Sequence, residues 1–344
     1  MKLNLIVAAL IGQSCLVSAQ SLKQEPFLTK TLSGLGIREV FVNTSGGSIT
    51  VSGGTDGQAR VEVYVNGNNG QPLSKEEVKK RLEESYFLEV EAHDGELHAT
   101  AKNKRMINWG NNGLSISFKV YVPEKVATNL NTSGGSIHLD HLTGTERFTT
   151  SGGSLHADHL TGDIKGRTSG GSIQIADSRN NIDMETSGGS VTAENCSGTI
   201  RLETSGGSLT MNNLKGAVSA HTSGGSVHGD NIAGELITGT SGGSINLSNL
   251  SCALDASTSA GSLHAAFKEV GKYVKLDVSA GHIDLSLPAK QGLDLDLRGN
   301  RMSDLTLNNF SGEHSRDAVR GKVNGGGPLV RADAGSGRVS LSFN

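Results

Sequence analysis

Eight copies of Thr-Ser-(Gly/Ala)-Gly-Ser begin at Thr132, Thr150, Thr168, Thr186, Thr204, Thr222, Thr240 and Thr258, each 18 residues after the last. A short period this strict means that every copy is one structural unit. Such a unit is too small to bury an apolar face alone and is stabilised by stacking on its neighbours. The chain is therefore a solenoid candidate before any single residue is weighed. A degraded ninth copy, Val278-Ser279-Ala280-Gly281-His282, follows after a step of 20. Ala332-Asp333-Ala334-Gly335 starts 54 residues beyond that, which equals three further periods. Thr44-Ser45-Gly46-Gly47-Ser48 is an outlier 88 residues upstream of the array.

Numbering each unit from its threonine as column 1 exposes the pattern. Column 6 is always apolar (Ile137, Leu155, Ile173, Val191, Leu209, Val227, Ile245, Leu263), and column 8 is apolar or small, from Leu139 to Ala265. A period of two marks a strand with one face inward. Column 15 resumes the pattern with Ile164, Ile182, Ile200, Val218, Leu236 and Leu254, and Glu146 breaks it in the first unit. Column 13 is glycine at Gly144, Gly162, Gly198, Gly216 and Gly234, and columns 3 and 4 are Gly-Gly in most units. Each coil is thus two strands joined through glycine corners, where positive φ carries no steric penalty. The column 1 threonines share the parity of columns 15 and 17, so they face inward or sit at a corner, where successive hydroxyls could form a ladder. A flat meander would share the period but leave its apolar face wet, whereas coiling closes a narrow core. The left-handed hexapeptide helix needs small apolar residues every six positions, and columns 12 and 18 are mostly polar. The expected fold is all-β, a β-solenoid (β-helix), right-handed or flattened, with 18-residue coils.

The ends are less regular. Met1-Lys2, the apolar run Leu5–Ile11 and Val17-Ser18-Ala19 have the layout of a signal peptide over residues 1–19. Export is expected, to the periplasm, the outer cell envelope or the medium, and no later apolar run approaches the roughly 20 residues of a transmembrane helix. Residues 20–131 read as a β-rich cap with one helix near 75–86, opened by the capping box Ser74-Lys75-Glu76-Glu77. Strands are expected at 87–92, 96–101 and 114–122, and a projecting loop at 103–113 carries the only tryptophan, Trp109. Residues 132–290 form the regular repeats, and residues 291–344 form irregular coils and a cap. Cys196 and Cys252 fall three units apart, about 14 Å along the axis at the ~4.8 Å strand spacing, beyond the ~7 Å reach of a disulfide. Both should be free thiols.

Tyr121-Val122-Pro123-Glu124-Lys125-Val126 leading into Asn131-Thr132-Ser133-Gly134-Gly135-Ser136-Ile137, with the closing Asn324-Gly325-Gly326-Gly327-Pro328, resembles the putative adhesin family of bacterial β-strand repeat proteins. The resemblance implies an envelope protein with a β-helical fold and supplies no catalytic residues. The chemistry in the sequence agrees. A net charge of −3 without a basic stripe gives no footprint for nucleic acid. The many serines occupy repeated columns, and a catalytic centre needs an asymmetric cluster. No catalytic site and no cofactor are expected. The partner would be an envelope or surface component, protein or polysaccharide. A polysaccharide-binding or carbohydrate-active β-helix is the alternative, weakened by an aromatic content of only 4%. One metal candidate stands out: His138, Asp140 and His141 recur one coil later as His156, Asp158 and His159. Stacking could gather these imidazoles and carboxylates, a donor set suited to zinc. A solvated outer face is the competing explanation.

Overall fold

In a computed structural model describing residues 25–55, 57–68, 73–104, 113–303 and 307–344, the repeats form a β-solenoid whose coils each contribute two strands. One parallel stack contains Thr143–Thr150, Thr161–Thr168, Arg179–Thr186, Ser197–Thr204, Lys215–Thr222 and Ala233–Thr240. The other contains Ile137–Asp140, Leu155–Asp158, Ile173–Ala176, Val191–Glu194, Leu209–Asn212 and Val227–Asp230. Every residue pairs with the one a full period away, as Ile164 with Ile182 and Leu155 with Ile173. Columns 6, 8, 15 and 17 point inward and fill a continuous core that includes Ile173, Ile175, Ile182 and Met184. Gly166 makes room in it for Phe148, whose ring would lie 2.7 Å from a Cβ placed there. The longer step before Val278 is absorbed by register shifts between Ile245–Ala260 and Leu263–Ala280.

The threonines are buried, but their hydroxyls do not bond to one another. Thr186 Oγ1 donates to the Gly171 carbonyl of the preceding coil at 2.8 Å and accepts the Gly189 N–H of its own coil at 3.3 Å. The same pair of bonds recurs at Thr132, Thr150, Thr168, Thr204, Thr222 and Thr240. The hydroxyl thus clamps the Gly-Gly turn to the coil beneath it. The opposite corner is set by column 10, whose residues Asp177, Asn195, Asn213, Asn231 and Asn249 all adopt φ between 48 and 55°. Asparagine and aspartate tolerate this left-handed conformation. Stacked amides link the coils there, with Asn213 donating to Asn195 and Asn231 to Asn213.

At both ends the chain leaves sequential order. Glu39–Thr44 and Ile49–Ser52 form the coil directly beneath Ala127–Thr132 and Ile137–Asp140, with Thr44 opposite Thr132. The upstream motif is therefore the first rung of the array, and the 88-residue step is one 18-residue coil plus an insertion. That insertion folds back underneath: Glu96–Asn103 and Leu114–Tyr121 continue the two stacks in parallel. Tyr86–His93, Arg60–Gly67 and Leu28–Thr31 then close them with antiparallel partners. The helix Lys75–Ser85 is capped by Ser74 Oγ, which accepts the Glu77 N–H, and buries Val78 and Leu82 beside Tyr86–His93. The carboxyl-terminal expectation of three further periods is wrong. Leu329–Phe343 lies on the immediately adjacent coil, with Ala332 opposite Leu276 and Leu341 opposite Leu285. The intervening residues form an excursion in which Leu293–Ser303 stacks outside Leu329–Phe343 and is covered by an antiparallel hairpin, Ala318–Val323 and Phe310–His314. Hairpins and a helix at the ends protect edges that would otherwise template aggregation. No helix among the described residues is long and apolar enough to cross a membrane. Residues 1–19 and Trp109 lie outside the described residues.

Glu146, the exception in column 15, still points inward and is fully buried. Thr128 in the coil below donates to its Oε2 at 2.5 Å, while Oε1 has no hydrogen-bond partner. Burial pushes this carboxyl from 4.5 up to about 7. Because the folded chain holds this proton more tightly than the unfolded chain, the contribution of Glu146 to stability is fully present below pH 4.5 and is lost as the pH rises through 7. Glu146→Ile, matching Ile164 above it, should flatten that slope and stabilise the protein at pH 8 by up to about 3 kcal/mol, at ~1.4 kcal/mol per pH unit. Urea melts at pH 4.5 and pH 8 provide the comparison. Thr186→Val should cost about 1–3 kcal/mol in the same assay because it orphans a buried amide and carbonyl. Ser187→Ala, at an exposed turn position, should change stability by less than about 0.5 kcal/mol.

Candidate functional site

The histidine motif falls on the second strand of two adjacent coils, with His138 opposite His156 and Asp140 opposite Asp158. The strand ends there, and column 10 turns the corner, so His141 and His159 take φ of 53° and 51°. The four imidazoles do not form one cluster. His138 and His156 stack face to face on the outer sheet surface, centroids 4.4 Å apart, and His141 and His159 stack separately at the corner, 4.5 Å apart. Burial, and then repulsion from His156, lowers the His138 pKa.

At the corner each imidazole is held by its neighbouring carboxylate. His141 Nδ1 lies 2.7 Å from Asp140 Oδ1, and His159 Nδ1 lies 2.9 Å from Asp158 Oδ2. The bond to Asp158 raises the His159 pKa. Donor atoms of Asp140, His141 and His159 all lie within 4.8 Å of one another, and so do those of Asp158, His159 and Asp177. The sequence pattern included His138 and His156, which join neither group, and overlooked Asp177. Column 10 would have revealed it, since Asp177 follows His141 and His159 at the same position of the next coil.

The outer face of the longer stack carries a second candidate. Arg147, Lys165, Arg167 and Arg201 pair with Asp163, Asp183, Glu185 and Glu203 in a ladder across successive coils. Exposed pairs of this kind contribute little stability; their effect is to order the surface. Along the adjoining turn runs an open groove of about 480 Å³, lined by the four threonine turns from Thr186 to Thr240, by Ser257 and Ser259 of the next coil, and by Glu185, Glu203, His221 and Gly239. Its five rows span about 19 Å at the strand spacing, and almost every lining group is polar. Aromatic surface is elsewhere: on the antiparallel pair Arg60–Gly67 and Leu114–Tyr121, Arg60 covers the Tyr121 ring at 3.8 Å and Lys119 the Tyr64 ring at 4.8 Å.

Among the described residues, Cys196 and Cys252 are buried and free. Desolvation pushes Cys196 up to about 11 and Cys252 up to about 12, so neither is a nucleophile at neutral pH. Ellman's reagent should label neither thiol in the native protein and both after unfolding.

A family model described as Toastrack DUF4097 matches residues 37–342. No curated protein matches the chain. Among solved structures, a putative cell adhesion protein from Clostridium sporogenes is 12% identical, covering 92% of this chain and 98% of its own, with a TM-score of 0.21. A putative adhesin from Bacteroides fragilis is 11% identical, covering 91% and 96%, with a TM-score of 0.24.

Proposed function

The chain belongs to the Toastrack DUF4097 family, and on that premise we propose that it is an exported, non-catalytic solenoid. It would serve as an adhesin-like or scaffold surface of the bacterial cell envelope. The observation that carries this reading is the groove along the threonine turns, where one polar row is repeated in register over five coils. Such a surface suits an extended envelope partner, a polysaccharide or a protein segment, held by many equivalent hydrogen bonds. The same regularity disfavours catalysis, because the hydroxyls recur as structural turn groups and no row is singled out. The tyrosine rings, the natural stacking platforms for a sugar, are occupied by Arg60 and Lys119. Export is supported by the charge, apolar run and small residues of Met1–Ala19.

Fractionation of cells should place a chain processed near Ala19 outside the cytoplasm; an unprocessed cytoplasmic chain would overturn the location. Purified protein should sediment with isolated envelopes, and Ser205→Lys with Ser223→Lys in the groove should weaken that binding about tenfold, roughly 1.4 kcal/mol. Equal binding by the double variant removes the groove from the proposal. Depolymerisation of acidic polysaccharides by the pure chain would remove the non-catalytic assignment.

A further inference from the structure

We propose that the corner formed by His141 and His159 binds a late first-row divalent cation such as zinc, with the two imidazoles as ligands and the carboxylate of Asp140 beside them. This site lies apart from the groove and does not depend on the surface-binding role.

The corner does not need histidine for its fold. In the later coils the same left-handed position is filled by Asn195, Asn213, Asn231 and Asn249, three of which continue an amide ladder from coil to coil. Among the seven left-handed corners from His141 to Asn249, only the first three depart from asparagine, and they carry His, His and Asp, which are metal-type donors. Histidine gains nothing over asparagine in this conformation, so the local backbone does not explain the substitution.

The contacts at the corner match those of a metal-binding histidine. Each ring directs Nδ1 to its own carboxylate, the outer-shell partner that commonly fixes the tautomer and orientation of a ligating imidazole. Nε2 is then the available donor on both rings. The rings are parallel within 6°, and parallel pairing of the strands just before them holds the two coils in register. His159 belongs to both groups of converging donors, one with Asp140 and His141 and the other with Asp158 and Asp177. Asp177 is itself positioned by Asn195, whose Nδ2 donates to Oδ1 at 3.1 Å. Donors up to 4.8 Å apart must draw together by as much as about 1.4 Å to share a tetrahedral ion at about 2.0–2.1 Å, which sets ligand atoms roughly 3.4 Å apart. Exposed side chains on a fixed backbone can make that adjustment. Two nitrogens and a carboxylate favour zinc, nickel or copper over calcium and magnesium, which require more oxygens.

The test is calorimetric titration of the tag-free chain with zinc chloride, and then with calcium chloride. One zinc site of micromolar affinity and no calcium heat are expected. His141→Asn with His159→Asn, which installs the residue of the later coils, should retain the fold by circular dichroism and weaken zinc binding at least about tenfold. Asp140→Asn should weaken it several-fold, and His138→Asn with His156→Asn should leave it unchanged. Absence of zinc heat at micromolar concentrations, equal loss in the two histidine double variants, or calcium binding as tight as zinc would each overturn the site. Envelope binding in the presence of EDTA separates this result from the groove: the metal site can fail while that binding persists, and the reverse.

Discussion

The bond from each column 1 threonine to the glycine carbonyl of the coil beneath it is the contact on which the array depends. A Gly-Gly turn leaves the backbone with no side chain to pack, and its polar groups must still be satisfied once buried. The threonine side chain is buried while its hydroxyl spans two coils, accepting from one and donating to the other. Neither alanine nor valine can do both. Register follows, because a coil slipped by one residue would turn the hydroxyl outward and the polar columns inward. With register set, columns 6, 8, 15 and 17 stack like on like and the core becomes continuous.

The ends show how a repeating core is stopped. A solenoid of identical coils would present a paired-strand edge at each terminus, open to another molecule. Here the chain inserts strands out of order and then reverses direction, so the outermost partners are antiparallel. The helix adds its Val78–Leu82 face beside one of these strands. This explains both anomalous spacings in the sequence. The gap after Thr44 and the gap before Ala332 are each an excursion inserted between neighbouring coils.

Glu146 and the histidine corner show how chemistry enters such a frame. Either side chain breaks a column whose other members satisfy the fold with simple means, isoleucine in one case and asparagine in the other. The buried carboxyl weakens the coil in which it sits, while the corner groups remain in water beside carboxylates that orient them. Repetition makes these departures legible, since each can be judged against residues in the same environment one coil away.

Sequence alone determined the coil length, the inward columns, the separation of the cysteines, the capped helix and the family, because strict periodicity turns one-dimensional spacing into stacking. The hairpin at Asp94-Gly95 was equally legible from its turn dipeptide, which places both residues at positive φ. Only the tertiary structure decided that the threonine hydroxyls bond to backbone and not to each other, since side-chain parity does not reveal which acceptor lies nearest. Only it divided the four histidines into two pairs and brought Asp177 to one of them. The reason is the bend at column 10: two residues close in sequence leave the strand in different directions, and their neighbours are then chosen by the coils above and below.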